Sequence, residues 1–167
     1  MTDLDSISLT TLDGRETTIA EWQGNAKLVV NVASKCGLSP QYAKLEQLQR
    51  EYGDRGFTVI GFPSNQFLQE YRSNEKIAEY CSTTWGVTFP MMNRIRVNGR
   101  NRHPLYRELV QTPDAEGKAG DVQWNFEKFL IAPEGAVTRF RPMVEPDAPE
   151  VVAAIEASLP GDNGEHA

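Results

Sequence analysis

The order strand, helix, strand within residues 27–62 constrains the fold of this 167-residue chain more than any other feature. Residues 27–32 carry an apolar run rich in β-branched side chains, the pattern of a strand buried on both faces of a parallel sheet. Ser39 and Pro40 then supply an N-cap and a first helical residue, after which Leu45, Leu48 and Tyr52 recur at helical spacing until Gly53 stops them. Residues 57–62 read as the next strand, closed by Pro63. A strand, a helix and a strand in that order predict a parallel pair joined by a right-handed crossover.

The flanking segments extend this unit. Residues 7–9 and 17–19 predict a β-hairpin around the Asp13-Gly14 turn. A second helix from about Ser73 to Thr84 carries Ile77, Cys81 and Trp85 at intervals of four, which puts Cys81 on its apolar stripe. A third helix starts at Pro104 and includes Leu105, Leu109 and Val110, and a polar loop follows to Asp121. Residues 126–132 and 136–140 predict a hairpin around Pro133-Glu134-Gly135, and residues 147–159 a last helix with Val151, Val152, Ile155 and Leu159 on one face. Residues 1–160 are expected to form one domain and 161–167 a frayed tail. The pattern is α/β, a sheet with helices on both sides and a thiol at a strand end, and it is compatible with a thioredoxin-like fold.

Seventeen basic and 23 acidic side chains give a net charge of −6, which argues against a general electrostatic grip on nucleic acid or anionic lipid. The N-terminus lacks the positive and apolar regions of a signal peptide, and no stretch approaches the roughly 18 apolar residues of a membrane span. These features point to the cytosol, with no stable membrane insertion. There, two cysteines read as reduced thiols or as a redox pair.

Cys36 lies where the apolar run gives way to Ser34-Lys35-Cys36-Gly37-Leu38-Ser39-Pro40, at the mouth of a strand and within a turn of a helix start. Helix-terminal N–H groups stabilise a thiolate in such a place. An ordinary thiol, with a pKa near about 8.5, needs that help to react at neutral pH. Lys35 offers a neighbouring charge, and Trp124-Asn125 offers an indole N–H and a carboxamide that donate without titrating. Gln69 is a further amide in a loop after a strand's C-terminal end, where ligands of open α/β sheets gather. Each feature also has a plainer reading: Cys36 as a loop thiol, Trp124 as core, Gln69 as a solvated side chain, and the charged pair Glu70 and Arg72 as surface. With His103 and His166 as the only histidines, a zinc site and a Cys-His dyad fit poorly, and no nucleotide-binding glycine pattern occurs.

Taken together, Asn31-Val-Ala-Ser-Lys-Cys36-Gly37, Gly61-Phe-Pro-Ser-Asn-Gln-Phe67, Phe89-Pro-Met91, Val97-Asn-Gly99, His103-Pro-Leu-Tyr106 and Trp124-Asn-Phe-Glu-Lys-Phe129 closely resemble the glutathione peroxidase family. The match runs in order from about Ile7 to Leu159. The resemblance implies a thioredoxin-like fold, with a central mixed sheet flanked by helices, and the reduction of hydrogen peroxide or organic and lipid hydroperoxides without metal or bound cofactor. It puts Cys36 at the peroxidatic position, Trp124 and Asn125 on the family's Trp-Asn pair, and Gln69 on its active-site glutamine. The chain departs from the pattern there. Only Leu68 separates Phe67 from Gln69, and Tyr71-Arg72 replaces the usual Pro-Gly, so Gln66 competes with Gln69.

In relatives of this kind the Cys36 sulfenic acid would be reset by a second cysteine, through a disulfide that thioredoxin reduces. Cys81 stands in that position, and Ser64 replaces a further cysteine found in many relatives. Cys81 also reads as a small core residue. A helix facing the core would have to unwind locally for Cys81 to meet Cys36. Glutathione remains the alternative reductant, and the short loop at residues 111–121 resembles that of monomeric or dimeric members. Two other readings stay open: a thiol-disulfide reductase, for which Ser39 stands where a second thiol is needed, and a non-enzymatic peroxide sensor.

Overall fold

The computed structural model describes residues 4–160. Strands β1 (Ser8–Thr10) and β2 (Glu16–Thr18) pair antiparallel as the predicted hairpin. The central sheet contains β3 (Ala26–Val32), β4 (Phe57–Pro63), β5 (Lys128–Ile131) and β6 (Val137–Phe140) in the order β4-β3-β5-β6. β3 and β4 run parallel through the crossover helix α1 (Gln41–Tyr52), while β5 is antiparallel to both β3 and β6. The sheet is thus mixed, with the thioredoxin-like arrangement. The remaining helices are α2 (Asn74–Tyr80), α3 (Pro104–Leu109) and α4 (Pro149–Ser158). The tail at residues 161–167 lies outside the described residues. Among the described residues no helix is long and apolar enough to cross a membrane.

Period-two alternation along β3 sorts the core into two layers. Leu28, Val30 and Val32 pack with Leu45, Leu48 and Tyr52 of α1, Ile77 of α2, and Val151 and Ile155 of α4. Val29 joins Ile60 and Phe62 against Leu105, Tyr106 and Leu109 of α3 and against Ile7, Leu9 and Ile19 of the hairpin region. Each such aliphatic side chain removed from water contributes about 1.5–3 kcal/mol, so both sheet faces are firmly covered. At Gly61 the sheet edge has no room for a side chain, because a Cβ would lie 2.6 Å from Met91 Sδ. That close approach lets residues 91 and 92 add bridges to Gly61 and Thr11, which the sequence pattern does not predict.

Several boundaries differ from expectation. α1 ends at Tyr52, but Gly53 keeps right-handed helical angles and a 3-10 turn runs to Arg55. The reversal comes at Gly56, with φ of 89°. β5 begins at Lys128 rather than residue 126, because the preceding residues form a bend in which Phe126 has φ of 68°. The last helix is shorter than residues 147–159, beginning at Pro149, and Val152 is only partly buried. The second helix does not stay regular to Thr84. It is α-helical to Tyr80 and continues as a π-turn over Cys81–Trp85.

Candidate active site

Cys36 stands in the link between β3 and α1. Tight turns carry the chain onward: Ser39 N–H donates to the Cys36 carbonyl at 2.9 Å and Gln41 N–H to that of Leu38 at 2.8 Å. The sulfur accepts the Leu38 N–H at 3.3 Å and is buried, with 5% exposure. This is the backbone donor that a thiol before a helix is expected to find. Ser39 does not cap α1. Its hydroxyl is buried and lies 3.0 Å from the carbonyls of both Ala33 and Ser34, so it ties the cysteine loop to the end of β3. Pro40 takes the cap position without a side-chain bond, and the turns that precede it satisfy the first amides instead.

The second segment is the bend at residues 123–127. Asn31 of β3 uses its whole side chain here: Nδ2 donates to the Trp124 carbonyl at 3.1 Å and Oδ1 accepts the Glu127 N–H at 3.1 Å. The Asn31 carbonyl accepts the Phe126 N–H at 2.6 Å. Lys128, fully buried, donates from Nζ to the Phe126 carbonyl at 2.6 Å and to that of Pro142 at 3.1 Å. Burial pushes its pKa down to about 7, against the raising effect of Glu145 and Glu127. Glu127 accepts the Gln123 N–H and is itself paired in the interior with Arg139 at 2.6 Å. These bonds hold Phe126 at its positive φ, where a bulky residue is otherwise strained. Asn125 is fully buried, and the Trp124 ring, partly exposed, packs on Phe67 with centroids 5.0 Å apart.

The third segment separates the two glutamines. Gln66 Oε1 accepts the N–H groups of Val97 and Asn98, and Nε2 donates to the Asn98 carbonyl at 2.8 Å, so its amide braces that neighbouring segment. Gln69 Oε1 instead accepts from Asn125 Nδ2 at 3.3 Å, while its carbonyl accepts the Lys35 N–H at 2.7 Å. Gln69 thus joins the loop next to Cys36 to the bend that holds Asn125. Asn125 Oδ1 is buried without a protein partner. The tight turn that shortens this loop is visible in Leu68, with φ of 60° and a largely exposed side chain.

Glu70 corrects the surface reading. It is 3% exposed, and Oε1 accepts the N–H groups of Ser34 at 3.0 Å and Tyr71 at 2.9 Å. Asn65 Oδ1 holds the Glu70 N–H, folding the loop back onto the cysteine segment. Burial raises the Glu70 pKa against these hydrogen bonds and the Lys35 charge. Lys35 directs its ammonium over the Tyr71 ring, 4.8 Å from the centroid. Sequence reasoning missed Glu70 because a charged residue beside Arg72 in a polar loop has the pattern of a solvated side chain.

Cys81 is buried at the junction of α2 and the π-turn. Both cysteines are free thiols, and both belong to the core layer that includes Tyr42 and Phe126, with Tyr71, Tyr80 and Trp85 packed against it. Burial pushes the Cys81 thiol up to about 11, the neighbouring Tyr42 hydroxyl opposes the rise, and Glu70 adds to it. The ring of Tyr42 lies against Phe126, Tyr80 and Trp85 with centroids 5.3, 6.2 and 6.4 Å away. His103 is the N-cap of α3, its Nδ1 accepting the Leu105 N–H at 3.1 Å, and so serves the helix start.

The sequence model of the family described as Glutathione peroxidase matches residues 4–110. The chain is 48% identical to thioredoxin/glutathione peroxidase BtuE of Escherichia coli K12, over 89% of this chain and 92% of that protein. It is 42% identical to hydroperoxy fatty acid reductase gpx1 of Synechocystis, over 91% and 93%. A crystal structure of Trgpx in the apo form superposes with a TM-score of 0.72 at 36% identity, covering 96% of this chain and all of that one. A sheltered thiol on a thioredoxin-like sheet and likeness along most of its length agree: the chain belongs to the glutathione peroxidase family, as a cysteine-type peroxidase.

Proposed function

We propose that the protein reduces hydrogen peroxide and organic or lipid hydroperoxides at Cys36, and that thioredoxin resets it through a Cys36–Cys81 disulfide. The Cys36 thiolate attacks the nearer peroxide oxygen, the O–O bond breaks, and a sulfenic acid forms as water or alcohol departs with a proton. Gln69, Trp124 and Asn125 act as uncharged donors that steady the thiolate and the developing negative oxygen. The observation that carries this reading is the Asn125–Gln69 carboxamide contact, which brings residues 56 positions apart together beside the cysteine loop. The names of the Escherichia coli and Synechocystis relatives support a thioredoxin route and a fatty acid hydroperoxide substrate. The same reading takes residues 1–160 as one domain, working in the cytosol as a monomer or homodimer.

Glutathione is favoured as a second reductant by a recess of about 510 Å³ that gathers Lys35, Arg72 and Lys76, cations suited to its carboxylates. Peroxide consumption measured with thioredoxin, its reductase and NADPH, in parallel with glutathione and its reductase, decides between the two. Cys36→Ser is expected to abolish turnover in either system. Cys81→Ser is expected to stop the thioredoxin-driven reaction. Thioredoxin turnover that survives Cys81→Ser, with no Cys36–Cys81 linkage in the peroxide-treated protein, would remove the resolving role.

A further inference from the structure

The two halves of the site rest on different elements. Cys36 is carried by the loop that runs into α1, and Asn125 by the bend that runs into β5. On one side Gln69 joins them, its carbonyl accepting the Lys35 N–H at 2.7 Å and its Oε1 accepting from Asn125 Nδ2 at 3.3 Å. That long contact is the one hydrogen bond of the Asn125 side chain among the described residues, and its buried Oδ1 has no protein partner. The direction of the Asn125 carboxamide therefore depends on how firmly the backbone beside it is held.

On the other side the two halves meet at Lys128. Its ammonium donates to the carbonyl of Phe126, the residue after Asn125, at 2.6 Å and to the carbonyl of Pro142 at 3.1 Å. A carbonyl has two lone pairs, and that of Pro142 also accepts Gln41 Nε2 at 3.0 Å. Gln41 is the first residue of α1. Its N–H returns to the Leu38 carbonyl at 2.8 Å, and the Leu38 N–H donates to the Cys36 sulfur at 3.3 Å. Hydrogen bonds and adjoining peptides thus lead without a break from the sulfur to the Asn125 bend, through two buried side chains, Gln41 and Lys128.

An ammonium is a costly group for this place. Glu145 and Glu127, the carboxylates whose charges act on it, are engaged elsewhere, Glu145 with Lys44 at 3.2 Å and Glu127 with Arg139. A buried cation met by main-chain carbonyls alone is harder to desolvate than an apolar side chain of similar length. What a methionine there could not do is donate to two carbonyls from a single atom.

Building on the peroxide chemistry proposed for Cys36, we propose that Lys128 is a positioning residue for that reaction: by gripping the Phe126 and Pro142 carbonyls together, it fixes the Asn125 bend relative to the helix start that follows Cys36. As the sulfur attacks, the S–O bond forms, the O–O bond breaks, and negative charge grows on the departing oxygen. Donors act on that charge only if they are already aimed at it. A misplacement of about 1 Å can slow such a step about 100-fold. Lys128 is fully buried and acts through Asn125 and the Cys36 loop, without touching the peroxide.

The test compares the full chain with Lys128→Met, Gln41→Leu and the double variant. Each is mixed with hydrogen peroxide, quenched in acid at intervals, unfolded and alkylated, and mass spectrometry counts the Cys36 thiols consumed. Native alkylation of Cys36 by iodoacetamide is timed alongside. Lys128→Met is expected to slow the peroxide reaction at least about tenfold and Gln41→Leu about threefold. The double variant should be no slower than Lys128→Met alone, because both side chains serve one link through Pro142. Native alkylation should stay within about twofold of wild type, since it places no charge on a departing peroxide oxygen.

A Lys128→Met protein that reacts with peroxide at the wild-type rate overturns the proposal. So does a double variant slowed by the product of the two single effects, or a slowing accompanied by about tenfold faster alkylation, the mark of a site that has merely loosened. Should Lys128→Met not fold, Gln41→Leu decides: an unaltered peroxide rate there overturns the link. If peroxide leaves the wild-type Cys36 thiol intact, the peroxidase reading itself falls, an outcome distinct from these.

Discussion

Asn31 commits its carbonyl and both ends of its side-chain amide to a single bend, and the bend carries Trp124 and Asn125. Asn31→Ala loses two of these bonds in a dry interior and should destabilise the fold by about 2–4 kcal/mol in urea titrations. It should also lower kcat/KM for peroxide at least about tenfold, because the donors lose their aim. Lys128 gives a pH signature. Its pKa, held near 7 when folded and near the ordinary 10.5 when unfolded, means that the unfolded chain binds more protons between those values. Stability from this residue is present at high pH and is lost as pH falls towards 7. Denaturation of wild type and Lys128→Met at pH 7 and 9.5 should show a rise with pH in the wild type that is reduced in the variant. At this scale the sequence singled out Cys36, Trp124 and Asn125 as candidates through their strings, and left Gln66 and Gln69 undecided. Only folding separates the two, because both are polar amides in one short loop and the difference lies in which carbonyls and carboxamides come within reach. Glu70 was illegible for the same reason.

Ser73 caps α2, with its hydroxyl accepting the Lys76 N–H at 3.3 Å, and a helix of seven residues depends heavily on such a bond. Ser73→Ala should cost about 1 kcal/mol. We expect faster amide hydrogen exchange from Lys76 to Cys81, together with faster disulfide formation after peroxide, because under the resolving role proposed for Cys81 this helix opens before the two sulfurs meet. Elements were legible where apolar period and punctuation agreed, as in β3, β4 and α3 with its His103-Pro104 start. They were misread where a side chain found a better partner than the pattern supplies. Ser39 has the chemistry of a helix cap yet bonds the end of β3, and the regular stripe of Ile77, Cys81 and Trp85 conceals a change from α to π winding.

Across the whole molecule, the parallel pair and the two hairpins followed from segment order, but the polar interior did not. Glu127 and Arg139 are charged residues within strand patterns, and they are fully buried together. Arg139 also donates to the carbonyls of Val110, Thr112, Gly120 and Asp121, while Arg141 bonds Glu127 and Asp114. This network fastens the polar loop to the sheet and reaches the Trp124 bend through the Gln123 N–H. Glu127→Gln leaves the Arg139 charge uncompensated and should cost about 3–5 kcal/mol, seen as a lower Tm and faster proteolysis at residues 111–121. The burial of both thiols carries a different consequence. With Cys36 5% and Cys81 3% exposed, both sulfurs should react slowly with thiol-modifying reagents in the native protein and quickly once it is unfolded, which timed alkylation with and without denaturant would show.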